Sequence, residues 1–270
     1  MTQRYRLIYI LGSGHCGSTL LDLLLNGHSQ ILGLGEIKSI GKYTASAEES
    51  GDNWVHTPFW QKVKGCYEKT SQASFAQIDI SNPKWSIARS WDAEDIETWT
   101  RPNDLLLSCI HRVSGAKMLT DASKFPHRLY LLQRAGLFDI RVIHLVRDGR
   151  AVMNSYIRKY GDFGTALRRW ASPALLAFSL RRNFTKTDWL RIRYEELATR
   201  PKDTLKRVCA FLEVGFEPKM LAFRGHPYFG IGGNRMRYRG DAHIFLDERW
   251  KGELKLRHQL AFSLIAGWLN

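Results

Sequence analysis

The stretch RLIYILGSGHCGSTLLDLLLNG, residues 6–27, sets the reading of the whole chain. After Arg6 it opens on an apolar run that ends at Gly12, the pattern of a strand buried in a parallel sheet. Residues 18–27 then carry apolar side chains at helical spacing and stop at Asn26-Gly27, a C-terminal cap signal. Between strand and helix lies a glycine-rich turn. That combination is a device for anions: glycines let the backbone come close, N–H groups at the helix start point at the ligand, and the helix dipole favours negative charge. Gly12 and Gly17 have the spacing of a nucleotide-binding P-loop, and Thr19 occupies its hydroxyl position. The P-loop lysine, however, is replaced by Ser18, and a basic residue comes earlier, at His15. A triphosphate loop uses the lysine on its outer phosphates and the hydroxyl on Mg²⁺. Ser18 therefore points to a shorter anion and to chemistry that needs no metal. The same residues also suit a plain turn that closes a strand–helix unit without a ligand.

Working outward, IRVIHLVRD (140–148) is the clearest strand, rich in β-branched and apolar residues, with a glycine-closed helix over 149–161. QILGLGE (30–36) suits a short strand, and AKMLTDASK (116–124) a strand running into a loop. WLRIRYEEL (189–197) reads as a strand-to-helix junction. Helices are expected at 104–113, 127–136, 163–184, 201–214 and near 247–268. Strands alternate with helices, so the fold class is α/β: a single domain with a central, mostly parallel sheet flanked by helices. Residues 45–104 are expected to be irregular, an insertion lying over the sheet or an acceptor-side subdomain.

The 270 residues are 44% hydrophobic, enough for a sizeable core, and carry a net charge of +14. That charge favours anionic partners, though no basic block suggests a nucleic-acid tail. Four dispersed cysteines, Cys16, Cys66, Cys109 and Cys209, show no metal spacing and suggest unpaired thiols in a reducing compartment. With no signal peptide and no apolar stretch long enough to span a bilayer, a cytoplasmic location is expected.

Arg147 leaves the tip of the best strand, where open α/β sheets bind ligands, and Ser155 follows in the next helix. A guanidinium plus a hydroxyl suits a second phosphate; a local Arg147–Asp148 ion pair is the plainer alternative. At this point the sequence resembles the sulfotransferases that use 3′-phosphoadenosine 5′-phosphosulfate (PAPS). GHCGSTLL (14–21) stands where that family has RSGTTLL or KSGTTW, and VIHLVRDGRAVMNSY (142–156) looks like its 3′-phosphate motif. TDASK (120–124) resembles the DSSK of one branch, and RIRYEEL (191–197) its YEDL block. GGNRMRYRG (232–240) and LDERW (246–250) resemble a late loop and helix. The nearest branches are the bacterial and the tyrosylprotein and carbohydrate enzymes.

The resemblance implies a P-loop NTPase-like sulfotransferase fold and transfer of a sulfonate from PAPS to an acceptor hydroxyl without a metal, releasing adenosine 3′,5′-bisphosphate (PAP). Gly14, His15, Cys16, Gly17, Ser18 and Thr19 would hold the 5′ end, with His15 departing from the family's arginine or lysine. Arg147 and Ser155 would hold the 3′-phosphate, with Tyr194, Asn234, Arg235 and Arg237 as further nucleotide contacts. Lys124 would stabilise the oxygen bridging sulfur and phosphorus. The base would be Glu36, in the place of a branch-specific glutamate, or His127, near a branch-specific histidine. Five of the nine tryptophans lie in 45–104, outside the resemblance, and suit either packing or acceptor stacking. The acceptor, a hydroxyl of carbohydrate, lipid, peptide tyrosine or small metabolite, stays open. Rival readings are a P-loop kinase or NTPase and a non-catalytic nucleotide or polyanion binder.

Overall fold

A computed structural model describes residues 6–42, 44, 53–238 and 243–270. Arg239, at the end of the expected late loop, and 45–52 of the expected insertion lie outside them. The chain runs β1 (Arg6–Leu11), α1 (Ser18–Asn26), β2 (Ile31–Leu32), α2 (Pro58–Ser71), α3 (Trp85–Ala88), α4 (Ala93–Ser114), β3 (Met118–Lys124) and α5 (Pro126–Ala135). It continues with β4 (Asp139–Val146), α6 (Gly149–Tyr160), α7 (Phe163–Leu180), β5 (Trp189–Arg193), α8 (Tyr194–Thr199), α9 (Pro201–Phe211), α10 (Trp250–Glu253) and α11 (Leu256–Ala266).

The strands form one sheet in the order β2-β3-β1-β4-β5, with every pairing parallel. Alternation along β1 explains its unbroken apolar run. Leu7, Tyr9 and Leu11 enter one core, with side chains of α2, α4 and α5. Ile8 and Ile10 enter the other, with α1 and α9. Sequence order reverses direction about β1, which leaves the ends of β1, β3 and β4 at the switch point where such sheets bind ligands.

Residues 53–104 are largely helical, not irregular as expected. In α2 the buried Trp60, Val63 and Tyr67 recur at helical spacing, but charged residues and bulky rings blur the pattern. α4 begins at an Asp92–Asp95 capping box and runs through Pro102. These helices share the β1 core, and Trp60 and Trp99 are buried in it. A buried ion pair fastens them to the sheet. Arg128 of α5 meets Asp121 of β3 at 2.7 Å, and also donates to Ile80 O (3.1 Å) and Asn103 Oδ1 (2.8 Å). With its charge neutralised and its donors shared out, the guanidinium is tolerated at zero exposure.

The expectation of four free thiols is also corrected. Cys66 of α2 and Cys109 of α4 form a disulfide. Helix packing brings their Cα atoms to 5.7 Å across 43 residues of sequence, a proximity no local spacing reveals. The cysteine argument for a reducing compartment falls with it. Cys16 and Cys209 are free and buried. No helix among the described residues is long and apolar enough to cross a membrane.

Candidate functional site

Three strand ends meet beside the start of α1. The loop after β1 turns at Gly17, whose φ of 95° is left-handed, and an added Cβ there would meet Tyr194 at 2.5 Å. No side chain caps α1, and no acidic residue occupies its first turn. The helix dipole is thus left uncompensated at the loop, as an anion site requires. Ser18 and Thr19 are buried there, and Thr19 Oγ1 accepts the Asn234 N–H at 3.1 Å. The Tyr156 hydroxyl packs against Gly14, where an added Cβ would meet it at 2.5 Å. The Cys16 thiol packs in the core, so only its backbone faces ligand chemistry. His15 sits at a φ of 62°. Burial first, then Lys159, Lys124, Arg147 and Arg158, pull its imidazole below the ordinary histidine pKa. It is neutral at pH 7.

Lys124 ends β3 opposite Leu11, and its carbonyl accepts the Gly12 N–H at 3.4 Å. Its φ of 73° turns the chain sharply away from the strand. Nζ meets Glu36 Oε1 at 2.5 Å, joining two expected site residues that lie 88 positions apart. His127 is not part of that pair. It lines a cavity of about 300 Å³ with Lys38 and Phe125. Burial, then Lys38 and Arg128, pull its pKa down to about 4.

Arg147 lies at the tip of β4, with its side chain 8% exposed. It donates to His15 O and Asp247 O, each at 2.9 Å, pairs with Asp247 Oδ2 at 3.2 Å, and stacks 4.3 Å from the Tyr194 ring. Its Nε is buried without a partner. Asp247 is held well below the usual carboxylate range by Arg249, against burial and with help from Arg147. The alternative of an Arg147–Asp148 ion pair does not form; Asp148 pairs with Arg150 at 2.6 Å. Ser155 turns its hydroxyl to Ala151 O on its own helix, at 3.2 Å. Asn234 Oδ1 accepts from Met236 N, and Arg237 donates to Gly230 O at 2.9 Å while its Nε is also buried and unpartnered. The side chain of Arg235 lies outside the described residues.

Sequence reasoning missed the scaffold under Glu36. Each backbone N–H from Gly33 to Glu36 has a fixed acceptor: Asn26 Oδ1 (3.0 Å), Thr120 Oγ1 (3.1 Å), Asp22 Oδ2 (3.0 Å) and Ile231 O (2.6 Å). Asp22, with zero exposure, also accepts from the Thr120 hydroxyl and from Tyr228 Oη at 2.5 Å. Burial raises its pKa while these bonds oppose the rise. The available signal was an aspartate inside the apolar helix LLDLLL, since a buried carboxylate needs partners. Asp247 gave no comparable signal. Among the described residues, no group of three or more histidine, cysteine or carboxylate side chains is placed to hold a metal.

Residues 8–218 match the family model of the sulfotransferases. Protein-tyrosine sulfotransferase A of Caenorhabditis elegans is 25% identical over 105 residues; the match spans 36% of this chain and only 24% of that protein. Among solved structures, the sulfotransferase domain of the Synechococcus PCC 7002 olefin synthase superposes with a TM-score of 0.62 at 22% identity, over 98% of this chain and 96% of that one. The sulfotransferase domain of the curacin biosynthetic pathway gives 0.59 at 20% identity, over 98% and 99%. A mouse sulfotransferase complexed with PAP gives 0.50 at 11% identity, over 97% and 81%. At these identities the superpositions show the fold, which is the P-loop-like sulfotransferase fold.

Proposed function

Because the chain belongs to the sulfotransferase family, we propose that it moves a sulfonate group from PAPS to an acceptor hydroxyl. We treat the chain as one sulfotransferase domain, with 45–104 forming the acceptor side. The observation that carries this reading is the Lys124–Glu36 pair set against an uncapped helix start. Backbone amides of the Gly14–Thr19 loop and the α1 dipole receive the 5′-phosphosulfate. Arg147, a guanidinium at the tip of β4, takes the 3′-phosphate. Tyr194 holds the guanidinium plane in place.

The acceptor oxygen attacks sulfur as the bond from sulfur to the bridging oxygen breaks, and that electron pair leaves on PAP. Lys124 meets the charge developing on the bridging oxygen. Glu36 takes the acceptor proton, and is preferred over His127 because it touches Lys124. The ion pair keeps the two groups side by side, as this division of roles needs. Ser18 in place of the P-loop lysine argues against a triphosphate. Calorimetry with PAP and with ATP tests the donor site: PAP binds and ATP binds far more weakly. Transfer of labelled sulfonate from PAPS to a panel of hydroxyl acceptors tests the reaction. ATP binding tighter than PAP, or no transfer to any acceptor class, counts against the reading.

A further inference from the structure

The cavity beside the Glu36–Lys124 pair is lined by Lys38, Lys42, Asp79, Asn82, Phe125 and His127, among others. Neither member of the pair lines it, but both are close enough to influence the Lys38 ammonium. Lys38 lies two residues beyond Glu36, its N–H donates to Ser123 Oγ at 3.4 Å, and Phe125 directly follows Lys124. At about 300 Å³ the cavity matches a small molecule and not a polymer.

The chemistry of its wall is uneven. Lys38 is half-buried, and its ammonium donates to Ser39 Oγ at 3.1 Å and lies 4.9 Å from the centre of the Phe125 ring. Among the described residues it has no carboxylate within ion-pair distance. Burial is the largest influence on it and holds its pKa below the ordinary lysine value. An ammonium has three donors, so two are left for a ligand, and a partly desolvated cation gains most from an anion. The one acidic group among the lining residues, Asp79, lies at the exposed rim, where Oδ1 accepts from Ser81 N at 2.9 Å. The neutral His127 adds no charge. Asn82 Oδ1 is buried with no donor. The Phe125 ring supplies a flat apolar face.

We infer that this cavity is the acceptor site and that it selects small hydroxy acids: the carboxylate pairs with Lys38, the apolar body lies on Phe125, and the hydroxyl reaches Glu36. This deepens the sulfotransferase reading and rests on it.

The test uses full-length protein saturated with PAP. The probes are 4-hydroxyphenylacetate, 3-(4-hydroxyphenyl)propionate and 3-hydroxybutyrate, each beside its neutral methyl ester, with affinities measured by ligand-observed NMR titration. At least one acid is expected to bind about tenfold tighter than its ester. Lys38→Met is expected to erase that preference, Lys38→Arg to keep most of it, and Lys42→Met, at the exposed rim, to leave it nearly intact. The Lys42 variant separates a specific pairing from general attraction to a basic surface. If Lys38→Met does not fold, Lys38→Gln carries the same expectation. Equal affinity for every acid and its ester, absence of acid binding, or equal loss of preference in the Lys38 and Lys42 variants overturns the inference. PAP titration of the wild-type protein is read separately: failure there defeats the donor assignment, whatever the acids do.

Discussion

Asp22 offers the sharpest test of how the site is held. It lies on α1, 13 residues before the Gly35 it holds, and receives three donors: the Gly35 N–H and the Thr120 and Tyr228 hydroxyls. Asp22→Ala leaves all three without an acceptor in the interior. Each orphaned buried donor costs about 1–3 kcal/mol. Removing the carboxylate also removes its own burial penalty, which places the net loss near the low end, at roughly 3–5 kcal/mol. That is a large part of a domain's stability of about 5–15 kcal/mol. At roughly 2–4 °C per kcal/mol for a chain of this size, the melting temperature falls by about 10 °C. Asp22→Asn is milder. Its amide oxygen faces Gly35 and Tyr228, its NH₂ faces Thr120 Oγ1, and the Thr120 hydroxyl hydrogen loses its acceptor, at a cost of about 1 kcal/mol. The Glu36 loop loosens, and a misplacement of about 1 Å at a reacting group can cost 10²-fold. The Asn variant should therefore lose roughly 10–100-fold in kcat while its PAP affinity stays within about twofold. Chemical denaturation, calorimetry with PAP and sulfonate transfer measure the three quantities. If Asp22→Ala loses under 1 kcal/mol, or Asp22→Asn keeps full kcat, the scaffold does not hold Glu36 as described.

Arg147→Ala should weaken PAP by about 2–3 kcal/mol, the scale of a charge-assisted hydrogen bond, as measured by calorimetry. Lys124→Ala should slow transfer about 10²–10³-fold with little change in PAP affinity, the signature of an interaction made mainly in the transition state. His15, neutral at pH 7 because its pKa is lowered, should take up a proton when a phosphosulfate or phosphate adds negative charge. Its contribution to PAP binding therefore grows as pH falls from about 7.5 to 6. Phosphate protonation works the other way, so the measurement is the difference between wild type and His15→Gln, which should narrow at high pH. Reducing the Cys66–Cys109 disulfide, whose partners are 43 residues apart, should cost about 4 kcal/mol by loop entropy and lower the melting temperature in dithiothreitol.

Much of the framework was legible because it follows local rules. β1 and β4 are apolar runs ended by turns, and the parallel sheet followed from the alternation of strands with helices. Arg147 was singled out because residues at strand tips of such sheets face the ligand side, and Lys124 because TDASK resembles a family motif. What stayed hidden depends on distant neighbours. Glu36 was a candidate, but its partnership with Lys124 required the pairing of β1 with β3 and the closure of the loop after β2. Asp247 sits in a segment with no periodicity, yet it occupies the Arg147 guanidinium. The helices of 53–104 were obscured because Trp and Tyr share their buried faces with polar residues, and the disulfide exists only because α2 lies on α4.

The span Ile231–Asn234 touches both halves of the site: Ile231 exchanges backbone hydrogen bonds with Leu34 and Glu36, and Asn234 closes on Thr19. Only Gly232 and Gly233 separate the two contacts. Under the proposed roles, whatever seats or lifts this span beside Thr19 would be felt at Glu36, and the two substrates would be thermodynamically linked.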